Sequence, residues 1–267
     1  LRAGYKVDTL DMRSETWKDF DFRGYDAVFH VAGIAHADVG KVSEEQKKLY
    51  YEVNTKLAVE TAGKAKRAGV GQFLFMSSMI IYGGCGQTRI TRETKPKALN
   101  FYGNSKLQAD LFIQKLSDDT FRTVVLRCPM IYGKGSKGNY RTLRKLALKL
   151  PVFPKVKNER SMLYIENLCE FVKCMIDRRE SGVFFPQNEE YMNTSELVAQ
   201  IARVRGHRIL MLPGMTLPVK LLGRMPGKVG KLAEKAFGDM LYDMDMSHYD
   251  VDYRVCSWQE SVKRTEA

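Results

Sequence analysis

The sequence predicts an α/β fold built on an open parallel sheet with crossover helices. Three observations carry that prediction. Short apolar runs recur at 27–32 (AVFHVA), 73–76 (FLFM) and 124–127 (VVLR), stretches with helical spacing lie between them, and glycine or proline closes several of these segments. Parallel strands buried on both faces read as continuous apolar runs rather than as alternating ones. Strand–helix alternation is the pattern of right-handed crossover connections.

Taken in order, 6–11 (KVDTLD) alternates and is expected to form a strand ending in Asp11. Residues 27–32 form the next strand. A helix is expected over 43–68, with Leu49, Val53, Leu57 and Ala58 on one face, and it ends at the glycines of 69–71. The strand at 73–76 runs into Ser77 and Ser78, a helix follows over 102–116, and then the strand at 124–127. A basic helix over 141–150 is closed by Pro151. Beyond it lie a helix at 163–177, a short strand at 182–186, a helix at 194–206 capped by Thr194 or Ser195, and a short strand at 210–213. Residues 217–267 mix short helices with Gly and Pro breaks, and 217–243, apolar and basic together, reads as a substrate lid or a subunit contact.

The chain has 267 residues, 44% of them hydrophobic, enough for a large core. Its formal charge is +12. The positive charge is spread, with short clusters at 64–67 and 134–149, and no zinc-finger spacing or aromatic RNA-binding motif accompanies it. A phosphate-bearing small substrate is therefore expected, and no nucleic acid. The apolar runs are too short to span a bilayer, and no membrane partner is expected. The five cysteines form no C-x-x-C pair and the four histidines are scattered. Reduced thiols, no metal site and a cytoplasmic location follow. The chain opens on Leu1 in a helix-end pattern, so an upstream segment is expected to be missing.

Tyr102 and Lys106 form a Y-x-x-x-K on a predicted helix, where one turn places phenol and ammonium on the same face. A free tyrosine is a weak base at neutral pH, and a nearby Lys⁺ favours the phenolate. Ser78 ends the 73–76 strand, 24 residues before Tyr102, at the kind of strand end where open parallel sheets bind ligands. Ser77 reads as a cap of the next turn, and Ser78 as a hydroxyl beside the phenol.

On these residues the chain resembles the extended short-chain dehydrogenases of the NAD-dependent epimerase/dehydratase family. The matching segments stand in family order: HVAG at 30–33, VNT at 53–55, FMSS at 75–78 followed by Tyr82 and Gly83, YGNSK at 102–106, LRCP at 126–129 followed by Tyr132 and Gly133, and RSMLYIENL at 160–168. The resemblance implies a Rossmann-like, doubly wound sheet with a small C-terminal substrate lobe. Residues 1–135 would form the NAD-binding core and 136–267 mainly the substrate lobe, with 163–190 returning to the core. The first strand and glycine loop would lie upstream of Leu1, and the chain as given would be inactive and bind NAD negligibly.

The resemblance also implies roles. Tyr102 is the acid/base, Lys106 tunes it and bonds the nicotinamide ribose, and Ser78 completes the triad. Ala32 and Gly33 let the cofactor approach the backbone, and Pro129 lies beside the nicotinamide. Asn139 and Arg160 contact the nucleotide and its diphosphate. Asp11, ending its strand, would accept the ribose hydroxyls of NAD and disfavour NADP, although only 15 residues separate it from Ala27. The glycines of 133–138 fit G-x-G-x-x-G but fall too late in the chain for the fingerprint, and are expected to form a loop of the substrate lobe.

Within the family, Met79 and Ile80 stand where sugar dehydratases carry an acidic pair, so dehydration is disfavoured. A 4-epimerase of a nucleotide-diphosphate sugar, in polysaccharide biosynthesis, is the expectation. Met130 replaces an asparagine of known 4-epimerases, which leaves the sugar open. A keto-sugar reductase and a noncatalytic nucleotide-binding protein are the alternatives. Family members often pair through a four-helix bundle, so 43–68 and 102–116 offer either a homodimer face or core.

Overall fold

The structure is a computed structural model that describes residues 4–35 and 42–267. In chain order its elements are β1 (Ala27–His30), α1 (Glu44–Tyr51), α2 (Leu57–Arg67), β2 (Gln72–Ser78), β3 (Arg89–Ile90), α3 (Phe101–Gln114), β4 (Arg122–Cys128) and β5 (Met130–Tyr132). They continue with α4 (Asn139–Lys149), β6 (Val152–Pro154), β7 (Met162–Tyr164), α5 (Ile165–Asp177), β8 (Gly182–Phe184) and α6 (Thr194–Val204). The last are β9 (Leu210–Leu212), α7 (Thr216–Arg224), α8 (Lys228–Phe237), β10 (Leu241–Tyr242) and α9 (Trp258–Glu266).

The chain divides into two compact units. The first holds 1–86, 93–128 and 169–186; the second holds 87–92, 129–168 and 187–267. The first crossing after β4 falls at Cys128/Pro129, where proline, lacking an N–H, ends the buried strand.

The first unit is the expected parallel sheet. Its strand order is β1-β2-β4-β8, every pair is parallel, and Ser78 lies opposite Cys128 at the C-terminal edge. Phe73, Phe75 and Val125 pack against Ala58, Ala62 and Ala65 of α2 and Ala109 and Ile113 of α3. Small residues on the helices let them lie close to large ones on the strands, which fills the layer without voids.

Four local expectations are corrected. Residues 6–11 form no strand: the segment is unpaired, Val7 is exposed, and the Asp11 carboxylate is gripped by Arg13 through Nη2 at 2.5 Å. Alternation alone does not make a strand without a neighbour to ladder with. In the long helix the buried face is Tyr50, Asn54, Ala58, Ala62 and Ala65, and Leu49 is exposed. A single π turn at Glu52–Lys56 joins α1 to α2 and shifts the phase away from regular helical spacing. Leu163 belongs to β7, paired with β5, and not to α5. Finally, α6 is capped by Asn193, whose Oδ1 accepts from the backbone N–H of Ser195 and Glu196, leaving Thr194 and Ser195 inside the helix.

The second unit packs around Tyr132, Tyr140, Phe153, Tyr164 and Ile201. Residues 133–138 form the loop between β5 and α4, with Gly138 at φ 69° immediately before Asn139. That backbone region suits glycine. The buried Glu266 carboxylate accepts from Arg144 Nε at 2.7 Å and the Tyr140 hydroxyl at 3.1 Å, which ties α9 to α4. Among the described residues no helix is long and apolar enough to cross a membrane.

Candidate active site

The C-terminal edge of β2 and the first turns of α3 bring Ser78, Tyr102 and Lys106 into one region of the first unit. Asn100 starts α3, its Oδ1 accepting from Gly103 N–H at 2.9 Å. That cap puts Tyr102 in the first helical turn and Lys106 one turn later. The chain leaving β2 makes a 3-10 turn at Met79–Tyr82, and Ser78 Oγ caps it by accepting from Ile80 N–H at 3.3 Å.

The Ser78 hydroxyl also stands close enough to the Tyr102 phenol to lower its pKa as a hydrogen-bond partner. The two serines therefore exchange part of their expected parts. Ser78 is both the cap and the phenol's neighbour, whereas Ser77 points to the other side of the strand and donates to Asp110 Oδ2 at 2.6 Å. Both serines thus meet α3, Ser77 at Asp110 in its middle and Ser78 near Tyr102 in its first turn.

Lys106 is 6% exposed. Its Nζ donates to the Met76 carbonyl at 3.1 Å and lies 5.2 Å from the centre of the Phe75 ring. Burial pulls its pKa down to about 8, with the Cys128 thiol opposing the shift. The expectation that Lys106 holds the Tyr102 phenol below its ordinary pKa is not met. Burial raises the phenol, the Tyr50 phenol adds to the rise, and the Ser78 hydrogen bond partly offsets it. The ammonium acts instead on His30 and Cys128. Tyr50 packs edge-on to Tyr102, with ring centres 5.8 Å apart.

The segment after β1 closes this region from the other side. Asn54, fully buried, clamps it: Oδ1 accepts from Ile34 N–H at 2.8 Å, and Nδ2 donates to Ile34 O and to Ser105 Oγ, each at 3.1 Å. A Cβ at Gly33 would stand 2.9 Å from Lys106 Nζ and 3.0 Å from Asn54 Oδ1. A side chain there would press on the lysine ammonium and the Asn54 amide, so glycine leaves both undisturbed. Ala32 is half-buried beside it. His30, 4% exposed, has an Nε2 without a hydrogen-bond partner among the described residues. Burial and the Lys106 charge push its pKa down to about 4.

Sequence reading missed Asn54 as the clamp and missed the buried ion pair under Ser77. Arg127 Nε and Nη2 donate to the two oxygens of Asp110 at 3.0 and 2.8 Å, and Nη1 donates to the Tyr82 hydroxyl at 2.6 Å. The signal available was a charged residue inside an apolar strand run, since such residues are seldom buried unless paired.

Asp11 is exposed, and its carboxyl pKa is held at about 2 by Arg13. Pro129 is buried and Asn139 opens α4, both in the second unit. Arg160 is not a free surface charge. Its Nη1 donates to the carbonyls of Lys235 and Gly238 at 2.8 and 3.2 Å, at the C-terminal end of α8, where a helix favours a cation.

A parallel sheet with crossover helices, a glycine passing close to a buried lysine, and a serine–tyrosine pair at a strand end define the Rossmann-type class of NAD(P)-binding epimerases and reductases. Residues 2–186 match the family model for the NAD dependent epimerase/dehydratase family, and the chain belongs to that family. It is 29% identical over 256 residues to a UDP-glucose 4-epimerase of Vibrio cholerae, covering 92% of this chain and 76% of that one. It is 27% identical over 235 residues to an N-acetyl-alpha-D-glucosaminyl-diphospho-ditrans,octacis-undecaprenol 4-epimerase of Escherichia coli O157:H7, covering 85% and 68%. A crystal structure of a dTDP-4-dehydrorhamnose reductase from Clostridium acetobutylicum superposes with a TM-score of 0.69 at 19% identity, over 93% of this chain and 82% of that one, a likeness of fold.

Proposed function

We propose that the protein is an NAD-dependent 4-epimerase of a sugar carried on a nucleoside diphosphate. The observation that carries this reading is the placement of Ser78 at the C-terminal edge of a parallel sheet with Tyr102 and a buried Lys106 one helical turn apart on α3. Two of the relatives act as 4-epimerases on diphosphate-linked sugars by their names, which supports it. Met79 and Ile80 beside Ser78 have no proton to transfer, which disfavours elimination.

The residues present fit a nicotinamide cofactor. Gly33 keeps the backbone open beside Lys106, and among the described residues only one of that ammonium's three donors is engaged, at Met76 O. Lys106 would bond the cofactor ribose, with Ala32, Gly33 and Pro129 allowing close approach. When bound, NAD supplies reversible hydride transfer at the sugar carbon. Tyr102 Oη takes the hydroxyl proton from the sugar and returns it. Ser78 holds the reacting oxygen by a hydrogen bond in both directions. By the family resemblance Asn139 and Arg160, both of the second unit, would contact the nucleotide and its diphosphate. Leu49, Leu111 and Phe112, exposed on α1 and α3, support a homodimer through these helices.

The test is to incubate the full-length protein and NAD⁺ with UDP-glucose, UDP-N-acetylglucosamine and their 4-epimers, and with the same sugars on a polyprenyl diphosphate. Interconversion without added reductant is expected on one carrier. Tyr102→Phe is expected to lower the rate about a thousandfold with thermal unfolding unchanged. Net consumption of NAD(P)H on a keto-sugar, without interconversion, would assign a reductase instead.

A further inference from the structure

The α7–α8 hairpin of the second unit carries a surface that the proposed chemistry does not use. Leu217, Leu221, Met225, Val229 and Leu232 are 68%, 52%, 58%, 63% and 65% exposed. Leu217 and Leu221 stand one turn apart on α7, Val229 and Leu232 one turn apart on α8, and Met225 caps α7 between them. Lys220, Arg224, Lys228, Lys231 and Lys235, all exposed, are interspersed among them, against two carboxylates, Glu234 and Asp239, the latter paired with Lys220 at 3.5 Å. Isolated exposed leucines are ordinary on a protein surface; a contiguous set on two adjoining helices marks an interaction site.

The hairpin holds its shape without help from a partner. A Cβ at Gly230 would lie 1.9 Å from the Met225 carbonyl oxygen, so the start of α8 presses directly on the end of α7. Val219 and Ala233 form the buried side. Arg160 fixes the far end of α8 through the Lys235 and Gly238 carbonyls.

We propose that this hairpin docks on an anionic lipid bilayer surface. Five aliphatic side chains at that exposure suit insertion at the acyl boundary, and five cations beside them suit the headgroup phosphates. The lysine and arginine stems are long enough to lie along the apolar face while their charges reach the phosphates. A second copy of the chain seated on the same face would oppose cation to cation. Nucleic acid would match the charge and leave the aliphatic row in water. A spanning run, whose absence is one ground for expecting no membrane partner, is not needed to lie on a surface. The contact holds whichever sugar the protein acts on.

Co-sedimentation of the 267-residue protein with large vesicles tests this. Binding is expected to vesicles of phosphatidylcholine with about one third phosphatidylglycerol, and to be about tenfold weaker on pure phosphatidylcholine or in high salt. Leu221→Glu with Leu232→Glu is expected to lose binding about tenfold while circular dichroism and sedimentation state stay unchanged. Lys228→Gln with Lys231→Gln, which leaves the apolar row intact, is expected to lose most of the preference for the anionic vesicles. The proposal is overturned if the wild-type protein stays in the supernatant with both vesicles, or binds both equally. It is equally overturned if the lysine variant binds as wild type, or if the leucine variant changes the oligomeric state instead.

Discussion

At the scale of single residues, the site's chemistry is set by burial more than by charge pairing. His30 shows this most directly. Its imidazole is buried among Phe73 and Phe75, and its pKa falls from an ordinary 6.5 to about 4. The folded state therefore binds fewer protons than the unfolded state between those values, and stability falls as pH drops through that window. Urea midpoints measured from pH 7 to pH 4 are expected to decline, and His30→Leu is expected to flatten the decline. An unchanged slope in the variant would place the acid sensitivity elsewhere. The spacing of Tyr102, Lys106 and Ser78 was legible in the sequence because one helical turn and one strand end are local facts. The bonds of Lys106 to Met76 O and of Asn54 to Ile34 and Ser105 were not, because they join residues 20 to 51 positions apart. The same holds for the phenol's pKa, which depends on the depth of burial and on where a flexible lysine ends.

Among the elements, β2, β4 and α3 are held together by Asp110. Its two oxygens accept from Ser77 on β2, twice from Arg127 on β4, and from Gln114 Nε2 at 2.6 Å on α3 itself. With every lone-pair direction used, the buried pair is a register device between three elements, and removing one partner strands the other. Asp110→Ala is expected to destabilise the fold by about 3–5 kcal/mol, read from chemical unfolding. Adding Arg127→Leu to that variant should recover part of the loss, because the unpaired buried cation is then gone. If the single variant unfolds at the wild-type midpoint, the network has no part in holding α3 to the sheet. Elements buried as apolar runs were legible, since composition alone marks them. The unpaired 6–11 segment, the π turn and the Asn193 cap were not. Each is decided by a neighbour, whether a pairing strand, a helix phase or a competing side chain, and not by the local pattern.

For the whole molecule, two exposed apolar surfaces lie on different units, and their charges separate their uses. The α7–α8 face carries five cations against the carboxylates of Glu234 and Asp239. The α1/α3 face shows Leu49, Leu111 and Phe112, 51%, 47% and 52% exposed, with Glu45 and Glu52 as well as Lys48 and Lys115 nearby in sequence. A surface with both signs can meet a rotated copy of itself, because a two-fold axis places each patch opposite its own complement. A dimer through α1 and α3 would also bury the outer side of the helix that carries Tyr102 and Lys106, and so stiffen the segment that positions them. The protein is expected to sediment as a dimer at micromolar concentration, and Leu111→Glu with Phe112→Glu to sediment as a monomer. These two positions lie between two and three turns beyond Tyr102, with Leu111 on the far side of α3 from the buried Ala109 and Ile113. The variant's vesicle binding should therefore stay at the wild-type level, because α7 and α8 are untouched. A wild-type protein that is monomeric at those concentrations would remove the dimer and leave the exposed row on α3 without an assigned partner.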